Sequence, residues 1–183
     1  MAVVLKEGQL KTKSILLPTS ILSGEKLQEI RNLYIKKLIE ATLGEMPEDN
    51  LVIRDLMPTD LVLAQDDWRM TTGATARVWA NSSIAAVTIA DNRFVCIWGV
   101  SDISGAQAIG GLRITNAGTR VAIWSLDHLW AYPDNMGGIA LSPVIVKQNL
   151  VLTIEWYVKY PNAPVEFVLD GAVCEKEGLA LKI

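Results

Sequence analysis

From Leu150 to Val158 the chain reads LVLTIEWYV, with Leu150, Leu152, Ile154, Trp156 and Val158 on one side of a period of two and Thr153, Glu155 and Tyr157 on the other. That period belongs to a strand with one face in water and one against a second layer. The run IALSPVIV at 139–146 leads into it. An apolar sheet face must be covered by another layer, so the pattern predicts a sheet packed on a sheet.

Strand-like runs recur at close spacing through the same half of the chain. They are TARVWA (75–80), SIAAVTIA (83–90), FVCIWGV (94–100), GLRITN (111–116), RVAIWSL (120–126) and VEFVLDG (165–171). About eight strands with turn signals every eight to twelve residues predict a mainly β fold, a jelly-roll-like β-sandwich. Two joints read as hairpins, Asp91-Asn92 and Asn116-Ala117-Gly118-Thr119, because their residues tolerate positive φ. Trp79, Trp98, Trp124 and Trp156 each fall in a predicted strand and are expected in the core or between the sheets.

Upstream the pattern differs. Residues 1–22 lack a sustained period and are broken by Gly8 and Pro18, which reads as an extended N-terminal arm in which SILL can pair as a short strand. The arm carries Val3, Val4, Leu5, Ile15, Leu16 and Leu17, interrupted by lysines and a glutamate, a pattern suited to docking on a neighbour. Next, Ser23 can cap a helix, Glu25 suits its positive end, and Leu27, Ile30, Tyr34, Leu38 and Ala41 recur at helical spacing up to Gly44. This is one amphipathic α-helix, whose wide stripe packs on the chain's own sheet or in part on another subunit. The resulting division is an arm over 1–22, a helix and connector over 23–60, and a β-sandwich domain over 61–183.

Composition narrows the function. The 183 residues are half apolar, yet no run approaches the ~20 apolar residues of a membrane helix. No membrane partner is expected, and the N-terminal stretch lacks the apolar core of a secretion signal, which implies a protein kept in the cytoplasm that makes it. Seventeen basic and twenty acidic residues without a basic cluster predict no nucleic-acid partner. His128 is the single histidine, and Cys96 and Cys174 have no CxxC spacing, so neither structural zinc nor a Ser-His-Asp nucleophile is indicated. Asp66-Asp67 and Asp134-Asn135 fall short of a calcium-loop spacing. The glycines of GAQAIGGLR miss the phosphate-loop pattern. The expectation is a protein without cofactor that is not an enzyme.

Two long loops remain, 100–111 and 127–138. The second holds His128, Trp130 and Tyr132 in DHLWAYPDNMGG, and aromatics on a long loop point to a contact surface. Val4, Leu16, Trp68, His128, Trp130 and Tyr132 are therefore the candidate interface residues. An arm, one helix and a tryptophan-rich sandwich, with the run IWSLDHLWAYPDNMGGIALSPVIVKQNLVLTIEWYV, resemble the capsid decoration, or cement, proteins of tailed phages. The resemblance implies a virion structural protein, made in the host cytoplasm, that binds the major capsid protein from outside as a homo-oligomer, a trimer, and stabilises the shell. It transfers no family binding residue. The alternative is a carbohydrate-binding, lectin-like sandwich with Trp68, Trp130 and Tyr132 as stacking platforms.

Overall fold

The computed structural model describes residues 15–46, 50–61, 63, 67–82, 84 and 86–179. The strands are β1 (Leu16–Pro18), β2 (Leu51–Asp55), β3 (Arg69–Thr71), β4 (Val78–Asn81), β5 (Val87–Thr88) and β6 (Arg93–Asp102). They continue as β7 (Ile109–Asn116), β8 (Thr119–Ser125), β9 (Gly137–Val146), β10 (Val151–Val158) and β11 (Pro164–Lys176). Helices α1 (Gly24–Leu43) and α2 (Asp127–Trp130) complete the set.

Two antiparallel sheets face one another. The first runs β1-β9-β6-β11-β2, with β3 also on β11; the second runs β4-β10-β7-β8, with β5 also on β10. With β4 and β5 taken as one interrupted strand, the connections from β3 to β11 trace a jelly roll: every one crosses between the sheets except the β7–β8 hairpin. That hairpin closes as the sequence predicts, with Asn116 opposite Thr119 and left-handed Ala117 (φ 47°) and Gly118 (φ 77°) between them. The Asp91-Asn92 joint is a correction. Asn92 is left-handed (φ 59°), but β5 pairs with β10 and β6 with β9 and β11, so the turn passes from one sheet to the other and makes no hairpin.

β10 occupies the centre of the second sheet, between β4 and β7, as its alternation requires. Leu152, Ile154, Trp156 and Val158 are at most 1% exposed, while Thr153, Glu155 and Tyr157 lie on the outer face, half-buried. Their inward partners are Ile114 and Leu112 of β7 and Ala80 of β4. The inter-sheet core also takes in Trp124, Val95, Ile97, Phe167 and Val173.

α1 adds a third layer on the outer face of the first sheet. Ser23 caps it, accepting a hydrogen bond from the Lys26 amide at 3.2 Å, and Glu25 sits in its first turn. Tyr34, Leu38 and Thr42 are buried one helical turn apart, against Phe94, Cys96, Trp98 and Ala172 of the sheet. The Tyr34 hydroxyl donates to the Ala140 carbonyl, tying the helix to β9. This layer explains why β6 reads as an unbroken apolar run: from Phe94 to Val100 it is buried on both faces. Cys96 and Cys174 are buried in the same layer as free thiols, and burial pushes the Cys96 thiol up to about 12.

One further expectation is corrected. Trp79 does not enter the core; it pairs with Tyr157 on the outer face of the second sheet, ring centroids 5.6 Å apart, under the Arg113 guanidinium at 4.1 Å. The SILL segment does pair as a short strand. Leu16–Pro18 is the edge strand on β9, and Leu16, opposite Ala140, points into the inter-sheet core at 3% exposure.

The strand alternation gives a direct test. Ile154→Asp places a carboxylate in the inter-sheet core and should leave the protein unfolded or insoluble, since an isolated buried charge costs several kcal/mol even after its pKa shifts. Thr153→Asp, on the outer face, should keep a cooperative thermal transition; equal damage from both would contradict the facing.

Candidate functional site

The loop residues singled out in the sequence gather at one end of the sandwich, where 102–109 and 127–136 meet the N-terminal segment. α2 is a single turn. Its Leu129 is fully buried in the inter-sheet core, which fixes its neighbours: His128 outward, Trp130 half-buried against the core with its indole N–H directed to the Ile109 carbonyl at 3.4 Å. His128 Nε2 lies 3.2 Å from the Leu16 carbonyl, so two predicted residues do come together, but inside one chain.

Asn135 makes the stronger link. Buried at 7% exposure, it accepts from the Ser20 amide (3.0 Å) and the Thr19 hydroxyl (3.3 Å), and its Nδ2 donates to the Leu129 carbonyl (3.0 Å). One side-chain amide thus fastens the segment after β1 to the loop after α2. In sequence Asn135 stands out only beside Asp134, as half of an oxygen-ligand pair; with both ends of its amide used within the chain, it acts as a clamp.

Asp102 organises the facing loop. Almost fully buried, it accepts from the Ser104 hydroxyl and from the Gln107 amide at 2.9 Å, while its own amide donates to the Met136 carbonyl at 2.7 Å. Gly105 (φ 65°) and Gln107 (φ 47°) take the left-handed conformations that let the loop fold around this carboxylate. Between the two loops lies an open cleft of about 290 Å³, lined by Asp102, Gln107, Trp130, Tyr132, Asp134 and Met136. Tyr132 and Met136 are its exposed apolar members, at 42% and 60%.

Trp68 does not join this cleft. It precedes β3, packs in part against the inter-sheet core, and its carbonyl accepts from the Phe167 amide at 3.1 Å. Val4 lies outside the described residues. Among the described residues no three His, Cys, Asp or Glu side chains form a metal-ligand group. Asp102 and Asn135 escaped sequence reading because an isolated polar residue in a loop looks the same whether it is solvated or is the buried hub of a turn.

Asn135→Ala should lower stability by about 1–3 kcal/mol, as the Ser20 amide and Leu129 carbonyl lose a buried partner. A urea titration checks it. A change within error would mean that water replaces the amide and that the clamp is not structural.

No protein-family model matches the chain, and no curated protein matches it in sequence, so the site is read from its own geometry.

Proposed function

We propose that the protein is a virion structural protein, a jelly-roll sandwich that decorates a phage capsid as a homo-oligomer, with three copies the expected number, and stabilises it through contacts with the major capsid protein. The observation that carries this reading is the exposed apolar surface at the β1–β9 edge, where the N-terminal residues enter the fold. Ile15 (43% exposed) sits opposite Leu141 (44%), joined by the Leu141 amide to the Ile15 carbonyl at 3.1 Å. Apolar side chains grouped at an edge favour burial against another protein surface. Fourteen residues precede Ile15, among them Val3, Val4 and Leu5. The jelly roll is a frequent fold of capsid proteins, a supporting analogy of fold only.

A lectin-like reading draws on the 102–109 and 127–136 cleft, where the half-exposed Tyr132 ring stands beside Gln107 and Asp134, a stacking surface with polar neighbours. Jelly rolls host lectins as well. The two readings separate by mass in solution and by glycan binding.

Residues 1–14 can be removed without touching β1, and residues 1–19 cannot. The 1–14 deletion should keep the melting temperature within a few degrees while abolishing oligomerisation or co-sedimentation with phage shells. The 1–19 deletion should also lower the melting temperature, because it removes Leu16 from the core and Thr19 from Asn135. A full-length chain that sediments as a monomer at tens of micromolar, ignores shells and binds an oligosaccharide through Tyr132 would replace the capsid reading with the lectin one.

A further inference from the structure

We propose that a second cleft, between the amino-terminal half of α1 and the outer face of the first sheet, binds a primary alkylammonium group such as a lysine side chain or a diamine carries. The cleft holds about 370 Å³ and is separate from the loop cleft described above. This inference does not depend on the assembly reading.

The floor is built by an irregularity shared by two ladders. Gly99 of β6 pairs with Asp170 of β11 and with Ile139 of β9, and the next paired residue of β6 is Ile97 on both sides, so Trp98 is skipped. Such a bulge re-aims a side chain, and here the Trp98 indole forms part of the cleft wall. Gly99 makes room for the carboxylate beside it. A Cβ there would stand 2.8 Å from the Gly138 carbonyl oxygen and 3.3 Å from Asp170 Oδ2, so any larger residue displaces Asp170 or β9.

The lining selects the ligand. The charged side chains in the cleft are Arg31 of α1, Asp55 of β2 and Asp170, which sum to −1, and Arg31 is paired with Asp55. Asp170 accepts a hydrogen bond at Oδ2 from the Ser101 hydroxyl at 2.9 Å. Burial raises its pKa despite the Ser101 hydrogen bond and the charge of Arg31, the mark of a carboxylate short of solvation that a further cationic donor would stabilise. Apart from Thr19, the remaining side chains of the walls are apolar, with Leu27, Leu56 and Ile139 beside Trp98. They suit an alkyl stem, and the indole attracts a cation. An anion would meet a carboxylate that Arg31, itself paired with Asp55, only partly offsets, and a neutral alcohol would add no charge to it.

Titration of the isotope-labelled full chain by NMR tests this, with 1,5-diaminopentane, a lysine-containing peptide and 1-pentanol as probes. The amines should give saturable shifts at the amides of Gly99 and Gly171 and at the Trp98 indole, and pentanol should not. Asp170→Asn should weaken amine binding at least tenfold, while Asp134→Asn, in the loop cleft, should leave it unchanged. Should Asp170→Asn fail to fold, the wild-type chain serves. Its affinity should fall as pH is lowered and Asp170 takes up a proton, before carboxyls of ordinary pKa do so. Tighter binding of the peptide than of the diamine assigns the cleft to a protein surface; the reverse assigns it to a small amine. Absence of saturable shifts at tens of millimolar amine, equal affinity in Asp170→Asn, or equal binding of pentanol overturns the proposal.

Discussion

Burial of the first sheet on both faces is the constraint on which the rest of the structure depends. The second sheet covers one side and α1 the other, so β6 and much of β11 have no solvent face and must be apolar almost throughout. The main exception shows the cost of that position. Glu175, fully buried in β11, accepts from Arg54 Nε (2.8 Å) and Arg93 Nε (2.7 Å), and Asp60 binds Arg54 at 2.6 Å and Arg93 at 3.3 Å. Two cations and two carboxylates neutralise one another, which is what makes a buried charge tolerable. The same network ties β2 and the turn at 58–61 to β6 and β11, where the sandwich would otherwise be open.

The sheet edges bear on association. β1 is three residues long, β9 carries Pro143 just beyond it, and the ladder between β6 and β9 is interrupted, all features that discourage indiscriminate strand pairing. Exposed apolar side chains nonetheless remain at that edge, in Ile15 and Leu141. The combination disfavours simple edge-to-edge aggregation and favours a partner that matches side chains, as the proposed capsid contact would.

How much of this the sequence discloses depends on the range over which each signal acts. Local rules suffice for α1, whose cap at Ser23 and end near Gly44 fall where propensity puts them, for the Asn116–Thr119 hairpin, and for the alternation of β10. They fail where the deciding partner is distant. The Asp91-Asn92 turn has hairpin residues, but strand pairing elsewhere makes it a crossover. Among the described residues of SIAAVTIA, Val87 and Thr88 alone are strand, whereas β11 continues to Lys176 through a glutamate that Arg54 and Arg93 make acceptable. Trp79 and Trp156 sit in similar apolar contexts, yet pairing with Tyr157 sends Trp79 outward. Of the candidate contact residues, Leu16 and His128 meet, and Trp130 and Tyr132 share a cleft, because a loop and an adjoining strand carry them. Asp102, Asn135 and Asp170 were hidden because their roles come from burial, which composition does not encode.

From Leu16 onward the described residues should form one cooperative unit, with α1 as a structural layer of the sandwich and the exposed apolar edge of Ile15 and Leu141 left for association. Native-state hydrogen exchange on the free protein tests this most directly. Amides around Tyr34 and Leu38 in α1 should exchange with the same opening free energy as those from Phe94 to Val100 in β6, the signature of global unfolding. If α1 opens several kcal/mol more easily than β6, the helix is a detachable appendage, and the doubly covered sheet is not what holds the fold together.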